Sequence, residues 1–234
     1  MGKRGSGSLS PEGFAFEESW AEKKRRAEEI VRILKEVYPR ERHVSGEPYR
    51  TLIKCIISQR NRDEVTDRVA EELFRKYPTI NDIANASVEK MQEFLRSLKV
   101  GLWRSKGRWI VEVSRIILER YDGRVPDTLE ELMKLPGIGR KCANIVLAYG
   151  FGKPAIPVDT HVNRVSKRLG LAPLEASPEK VEEYLKVLIP KEEWLYVNHA
   201  MVDHGKKVCR PIKPKCNECP VRNLCPKVGI KFGT

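Results

Sequence analysis

The chain has 234 residues, 41% of them apolar and 32% charged, which is too long for a disulfide-stapled miniature and long enough to enclose one large or two small cores. Forty-four lysines and arginines against 32 aspartates and glutamates leave a formal charge of +12, a balance suited to a polyanionic partner such as nucleic acid. No window approaches the roughly 18 uncharged apolar residues of a membrane span, and no apolar stretch follows the basic start, so neither a span nor a secretion signal is expected.

Residues 1–19 open on glycine and serine and read as a flexible N-terminal segment. Ile30, Val31, Leu34 and Val37 then recur at helical spacing, and Pro39 follows Tyr38, so a first helix is predicted to end near Tyr38. Pro48 opens a second, largely apolar helix through Leu52, Ile53, Ile56 and Ile57, and Val65, Val69, Leu73 and Phe74 mark the inner stripe of a third. Ser87 caps a helix through Met91, Phe94, Leu95 and Leu98. Gly101 interrupts the pattern, Ile110, Val113, Ile117 and Leu118 resume it, and Asp127 with Glu130 reads as a capping box for a short helix reaching Met133. Further helices are predicted over 139–149 and 160–169, from Pro178 through Leu188, and over 194–204. Nothing alternates with period two, so the expected fold is all-α, with about ten helices in two lobes.

The stretch LPGIGRKCANIVL, residues 135–147, sets two glycines two apart between helical patterns. Gly137 and Gly139 allow a tight turn that bares backbone N–H groups beside the positive end of the next helix. That is a seat for a phosphate, and Arg140 adds a cation that positions a nucleic-acid backbone without reading bases. An ordinary helix corner fits the same pattern. Lys141 falls in the first turn of that helix beside Arg140, where dipole and neighbour disfavour the ammonium and expose an amine able to attack a sugar C1′. A solvent-facing lysine is the plain alternative. Eighteen residues on, Asp159 of PVDTHVNRV opens another helix, where its carboxylate either caps the helix or acts as a base that opposes positive charge developing on a sugar.

Four of the six cysteines, Cys209, Cys216, Cys219 and Cys225, crowd into 17 residues as C-x6-C-x2-C-x5-C. Four thiolates satisfy either tetrahedral zinc or an iron–sulfur cube, and the single close pair leans toward the cube. A compartment that keeps thiols reduced suits metal ligation better than a disulfide framework. Cys55 and Cys142 lie in apolar helical segments and read as packed thiols. Around the tail, Lys206, Lys207, Arg210, Lys213, Lys215, Arg222, Lys227 and Lys231 stand against Asp203 and Glu218, a basic surface whose phosphate contacts would weaken with salt.

LPGIGRK, VDTH and the cysteine tail follow one another in an order through which residues 20–228 resemble the endonuclease III family of helix-hairpin-helix DNA glycosylases. The resemblance implies a two-lobed fold, with residues 20–42 and 154–228 forming a discontinuous cluster-bearing lobe, 43–153 the helical bundle with the hairpin, and 229–234 a tail. It implies a bifunctional glycosylase and abasic-site lyase that excises oxidised pyrimidines such as thymine glycol and cleaves 3′ to the site by β-elimination. Lys141 matches the Schiff-base nucleophile and Asp159 the assisting carboxylate, and the four tail cysteines match the ligands of a 4Fe–4S cluster. The implied partner is double-stranded DNA containing damaged pyrimidines or abasic sites, met by a monomer in the cytoplasm or nucleoid of a prokaryote. A thymine or uracil mismatch glycosylase on the same scaffold, or a noncatalytic helix-hairpin-helix DNA-binding protein, are the rival readings.

A base inside a duplex must be turned out before such chemistry, and its vacancy filled. In KVGLWRSKG, Leu102 matches the family's apolar wedge, and Trp103 supports that loop by packing. In IISQRNRD either Gln59 or Arg60 fills the gap, because the family places glutamine three residues before an aspartate whereas Gln59 is four before Asp63. Gln59 is favoured, since its amide can meet base edges of either strand, and Asp63 is expected to cap the next helix. His161 is carried over as a DNA-side contact, and His199 and His204 read as structural. Met133 stands where bacterial relatives have a glutamate, which removes any water network built on that carboxylate.

Overall fold

Ser19 begins the first helix by local chemistry. Its hydroxyl accepts the Glu22 N–H at 3.3 Å while the Glu22 carboxylate accepts the Ser19 N–H at 2.9 Å, satisfying two amides that helix entry leaves open. Helix α1, Trp20–Val37, lays Ala27, Ile30, Val31 and Leu34 on one buried stripe and closes with the Tyr38 N–H on the Leu34 carbonyl, just before Pro39. The computed structural model describes residues 18–39 and 44–230. Residues 1–17 of the expected flexible segment and 231–234 of the expected tail, Lys231 included, lie outside the described residues.

Among the described residues every regular element is helical. They divide into two compact units, residues 44–157 and residues 18–39 with 158–230. In the first, α2 (Pro48–Ser58) packs on α3 (Asp63–Lys76), while α4 (Ile80–Asn85) and α5 (Val88–Ser97) pack on the long helix α6 (Trp103–Tyr121), which also meets α2. Helix α7 (Leu129–Leu132) leads into α8 (Arg140–Ile145), which runs on through a π-helical turn at Val146–Gly150 against α2. Leu52, Ile53, Ile56 and Ile57 of α2, Leu73 of α3, Met91 and Leu95 of α5, and Ile110, Val113 and Ile117 of α6 form the core. At Gly107 of α6 a Cβ would stand 2.7 Å from Gln92 Cγ and 3.0 Å from Gln92 backbone atoms, so this close α5–α6 approach requires glycine.

In the second unit α9 (Thr160–Arg168), α10 (Pro178–Leu188) and α11 (Trp194–Lys207) join α1, with α11 lying on α1 and α9. Glu18 anchors the start of α1 there. Its carboxylate is paired with Lys23 at 3.0 Å and Arg26 at 2.5 Å; Arg26 also donates to the Leu169 and Leu224 carbonyls and Lys23 to that of Gly170.

Three local expectations change. Thr128, not Asp127, caps α7 by accepting the Glu131 N–H, and Asp127 is drawn instead to Lys153. The single helix expected over 139–149 is a short α-helix followed by a π turn. Asp63 is the first residue of α3 rather than its cap, a position held by Arg62. Helix α4 is an addition, opened by a capping box between Thr79 and Asp82, and its 6 residues are too few to show a readable stripe.

The stripe of α6 carries one cation. Lys106 is fully buried, and its Nζ donates to the Ile57 carbonyl at 2.8 Å and the Gln59 carbonyl at 2.5 Å, acceptors that the end of α2 leaves open. Burial pushes its pKa down to about 8. From about that pH up to the ordinary lysine range, the unfolded chain still holds the proton that the folded chain has released, so stability rises with pH in this window. In denaturant titrations from neutral pH to pH ~10, the protein should gain about 2 kcal/mol relative to Lys106→Met. Parallel curves would show that the ammonium is not desolvated.

Candidate active site

In the 44–157 unit three exposed turns are tied to one another. The hairpin turn has Gly137 at φ +75°, where a Cβ would stand 2.6 Å from Cδ2 of Trp109, so the turn lies directly on an α6 indole. Gly139 is different: it is the N-cap of α8 at φ −90°, ψ 173°, and a Cβ there meets nothing within 4 Å. Arg140 is half-buried and Lys141, the second residue of α8, is exposed. Near Lys141 the buried thiols of Cys55 and Cys142 share a hydrogen bond that, with burial, pushes the Cys55 thiol up.

The turn after α2 reaches the hairpin. Gln59 is half-buried, its Nε2 donating to the Gly137 carbonyl at 2.8 Å and lying 4.0 Å from Cys142 Sγ. Arg60 follows, exposed and left-handed at φ +56°. Asn61 then donates through Nδ2 to the Ile57 carbonyl at 2.8 Å and accepts through Oδ1 the Gly101 N–H at 3.1 Å, joining the third turn. That turn presents Leu102 at the entry to α6 with φ +57° and 42% of its surface exposed. Trp103 beside it is half-buried under the guanidinium groups of Arg104 and Arg96, at 4.1 and 5.6 Å from its ring. Met133 is exposed at the end of α7.

Asp159 belongs to the other unit. It caps α9, with Oδ1 accepting the His161 and Val162 N–H groups at 2.9 and 2.8 Å, so both capping bonds fall on one oxygen and leave Oδ2 outside the cap. His161 is half-buried, its Nδ1 3.2 Å from an Arg164 nitrogen and its ring packed toward Gly205. Arg164 also donates to the Cys209 and Gly205 carbonyls, connecting the aspartate segment to the cysteine loop.

The four tail cysteines are half-buried, in a segment whose regular structure is limited to short 3₁₀ turns at Cys216–Glu218 and Arg222–Leu224. Burial, together with the other three thiols, pushes Cys219 up to about 11, and burial with the Cys209 and Cys216 thiols raises Cys225. A cationic centre among them would offset that cost. Donors already face the sulfurs: an Arg168 guanidinium nitrogen lies 3.5 Å from Cys209 Sγ, and the Lys227 N–H 3.3 Å from Cys225 Sγ. His204 Nε2 lies 3.7 Å from Cys219 Sγ, while the Tyr38 hydroxyl is 3.2 Å from Nδ1 of the same ring. Burial pushes His204 down to about 4, which makes it a neutral ring suited to bridging hydroxyl and sulfur. Lys206, Lys207, Arg210, Lys213, Lys215, Arg222 and Lys227 are exposed around this loop.

Four supporting residues went unread in the sequence. Arg164 and Arg168 carry no local signal, because their partners are carbonyls some forty residues away. Asn61 was hidden in a turn. Lys106 had a signal, since it shares the helical spacing of Ile110, Val113 and Ile117 and therefore sits on an apolar stripe.

Residues 53–191 match the model of the HhH-GPD superfamily base excision DNA repair proteins. The chain belongs to this family. It is 46% identical to an endonuclease III of Thermotoga maritima over 85% of this chain and 91% of that one, and 40% identical to the Bacillus subtilis endonuclease III over 78% and 82%. Among solved structures, a trapped endonuclease III–DNA covalent intermediate superposes with a TM-score of 0.79 at 38% identity, covering 87% of this chain and 96% of its own. A thermostable thymine-DNA glycosylase, at 24% identity and a TM-score of 0.76 over 90% and 98%, shares the fold. Family membership carries with it the all-helical helix-hairpin-helix glycosylase fold seen here.

The two glycines of the family's hairpin should therefore respond unequally. Gly137→Ala is expected to cost about 2 kcal/mol or more, from left-handed strain and the collision with Trp109. Gly139→Ala should cost under about 1 kcal/mol, the difference between glycine and alanine at an N-cap. Thermal unfolding of both variants measures the contrast, and equal losses would contradict the packing described.

Proposed function

We propose that this base excision repair glycosylase and abasic-site lyase acts on oxidised pyrimidines such as thymine glycol in duplex DNA, with Lys141 as nucleophile. The observation that carries the reading is an exposed lysine in the first turn of the helix that follows the Gly137 hairpin, in a chain of this family.

The Lys141 amine attacks C1′ as the C1′–base bond breaks, and the base departs with its electron pair and takes up a proton. Opening of the sugar ring gives an iminium between Lys141 Nζ and C1′. Loss of a C2′ proton then breaks the C3′–oxygen bond and releases the 3′ phosphate, and water frees the lysine from the remaining imine. Asp159 is assigned the carboxylate that accepts the proton from the attacking amine and opposes the positive charge on the sugar; its Oδ2, outside the helix cap, is the atom assigned to that work. Leu102 is assigned the wedge, exposed as that role requires. For the vacated position, Arg60 gains weight against the preference for Gln59, because the Gln59 amide is engaged by the Gly137 carbonyl while Arg60 projects from an exposed turn. Gly137, Gly139 and Arg140 are assigned to the DNA backbone, and His161 to the DNA side of its own unit.

Cys209, Cys216, Cys219 and Cys225 are assigned as ligands of a 4Fe–4S cluster. Bound there, the group supplies positive charge that stabilises four thiolates and cross-links a segment with little regular structure. The exposed cations around that loop then contact phosphates along the duplex. DNA is the partner of a single copy of the chain, and no helix among the described residues is long and apolar enough to cross a membrane.

Incubation with a duplex carrying one thymine glycol, followed by borohydride, should leave a covalent adduct located at Lys141 by peptide mass analysis. Lys141→Ala should lose the adduct and strand cleavage while keeping DNA affinity within several-fold; base release without an adduct would replace the lyase assignment with a hydrolytic glycosylase. The purified protein should be brown and hold iron and acid-labile sulfide in equal amounts, whereas a colourless, zinc-loaded protein would overturn the cluster.

A further inference from the structure

Lys106 occupies a position where the helix asks for an apolar side chain. It shares the buried stripe of Ile110, Val113 and Ile117, its exposure is 0%, and its ammonium donates to two carbonyls rather than a carboxylate. An apolar residue of the same length would spare the cost of desolvating a charge, so core stability alone does not account for an ammonium here.

What the ammonium holds gives the account. It fixes the Ile57 and Gln59 carbonyls on either side of Ser58, just before Arg60 takes a left-handed conformation that a non-glycine residue keeps only when its surroundings impose it. The Ile57 carbonyl also receives Asn61, which receives Gly101, and the Gln59 side chain holds the Gly137 carbonyl. The Lys106 backbone N–H closes the first turn of α6 on the Leu102 carbonyl at 3.0 Å. One residue thus ties Leu102 through its main chain and the Gln59–Arg60 turn through its side chain.

We propose that Lys106 is a positioning residue for lesion access, holding the turns that carry Gln59, Arg60 and Leu102 in the conformation that excision from duplex DNA requires. This rests on the glycosylase reading above. Lys106 takes no part in bond making, so its loss should separate two activities that a general loss of folding would lower together.

The test compares excision of thymine glycol from a duplex with cleavage of a preformed abasic site in single-stranded DNA, using the full chain. In Lys106→Met, kcat/KM for duplex excision should fall at least about tenfold, as expected when reading groups are misplaced by about an ångström, while single-strand cleavage changes less than about threefold. Asn61→Ala, at an only partly buried turn residue, should show the same separation and decides the matter if Lys106→Met fails to fold. Parallel losses in both activities, or full duplex excision in either folded variant, would overturn the proposal. A wild-type protein inactive on both substrates would instead overturn the glycosylase reading, and this inference with it.

Discussion

A buried ammonium with two carbonyl acceptors sets the geometry of the exposed turns in the 44–157 unit. Desolvated positive charge is tolerated inside a protein only where fixed dipoles replace water, and the carboxyl end of α2 supplies them. The consequence reaches beyond one contact, because Lys106 and Trp109 stand three apart on α6, and Leu102 is the cap whose carbonyl the Lys106 N–H closes. The anchor of the α2 turn and the indole under the hairpin glycine therefore stand along one side of a single helix that the exposed leucine caps. Gln59 closes the arrangement by joining the α2 turn to the hairpin. Turns that would otherwise move independently become one piece, which the wedge role proposed for Leu102 calls for.

The other unit meets a similar demand with arginine. Its cysteine loop closes some of its carbonyls with its own N–H groups, and arginines from regular helices take others there and at the neighbouring helix ends. Arg26 of α1 serves Leu169 and Leu224, Arg164 of α9 serves Gly205 and Cys209, and Arg168 of α9 serves Arg210 and Pro211. A guanidinium fork can hold two carbonyls in fixed directions, which suits loop ends better than an ammonium does. The Arg168 fork also reaches the sulfurs, placing a donor 3.5 Å from Cys209 Sγ. Glu18 is the counterweight, a carboxylate that lets Lys23 and Arg26 be buried together.

What could be read from the sequence was whatever depends on near neighbours. The stripe of Ile30, Val31 and Leu34, the proline openings at Pro48 and Pro178, and the serine cap at Ser87 all place their helices, because spacing and capping are local. Local reading failed where two local candidates competed: Asp127 and Thr128 both suit a cap, and only the approach of Lys153 draws Asp127 away. It also treated Gly137 and Gly139 as a matched pair, although only the first is left-handed and only the first lies against a ring, a fact set by Trp109 far along the chain. The motif residues Lys141, Asp159 and the four cysteines were visible by type and order. The residues that orient their surroundings, Asn61, Lys106, Arg164 and Arg168, were not, since each holds a backbone group distant in sequence.

Two lysines of one unit show why type alone does not assign chemistry. An amine that attacks carbon must give up a proton and present its lone pair along an open approach. Lys106 has no such approach: its nitrogen is enclosed and directed at two carbonyl oxygens, so even its neutral form is already engaged. Lys141, on the exposed first turn of a short helix, has the open approach that Lys106 lacks. Depressed basicity is therefore not by itself the mark of a nucleophile, since burial lowers the pKa of a lysine that can reach nothing. Accessibility separates the lysine proposed as nucleophile from the enclosed one proposed to hold the turns in place.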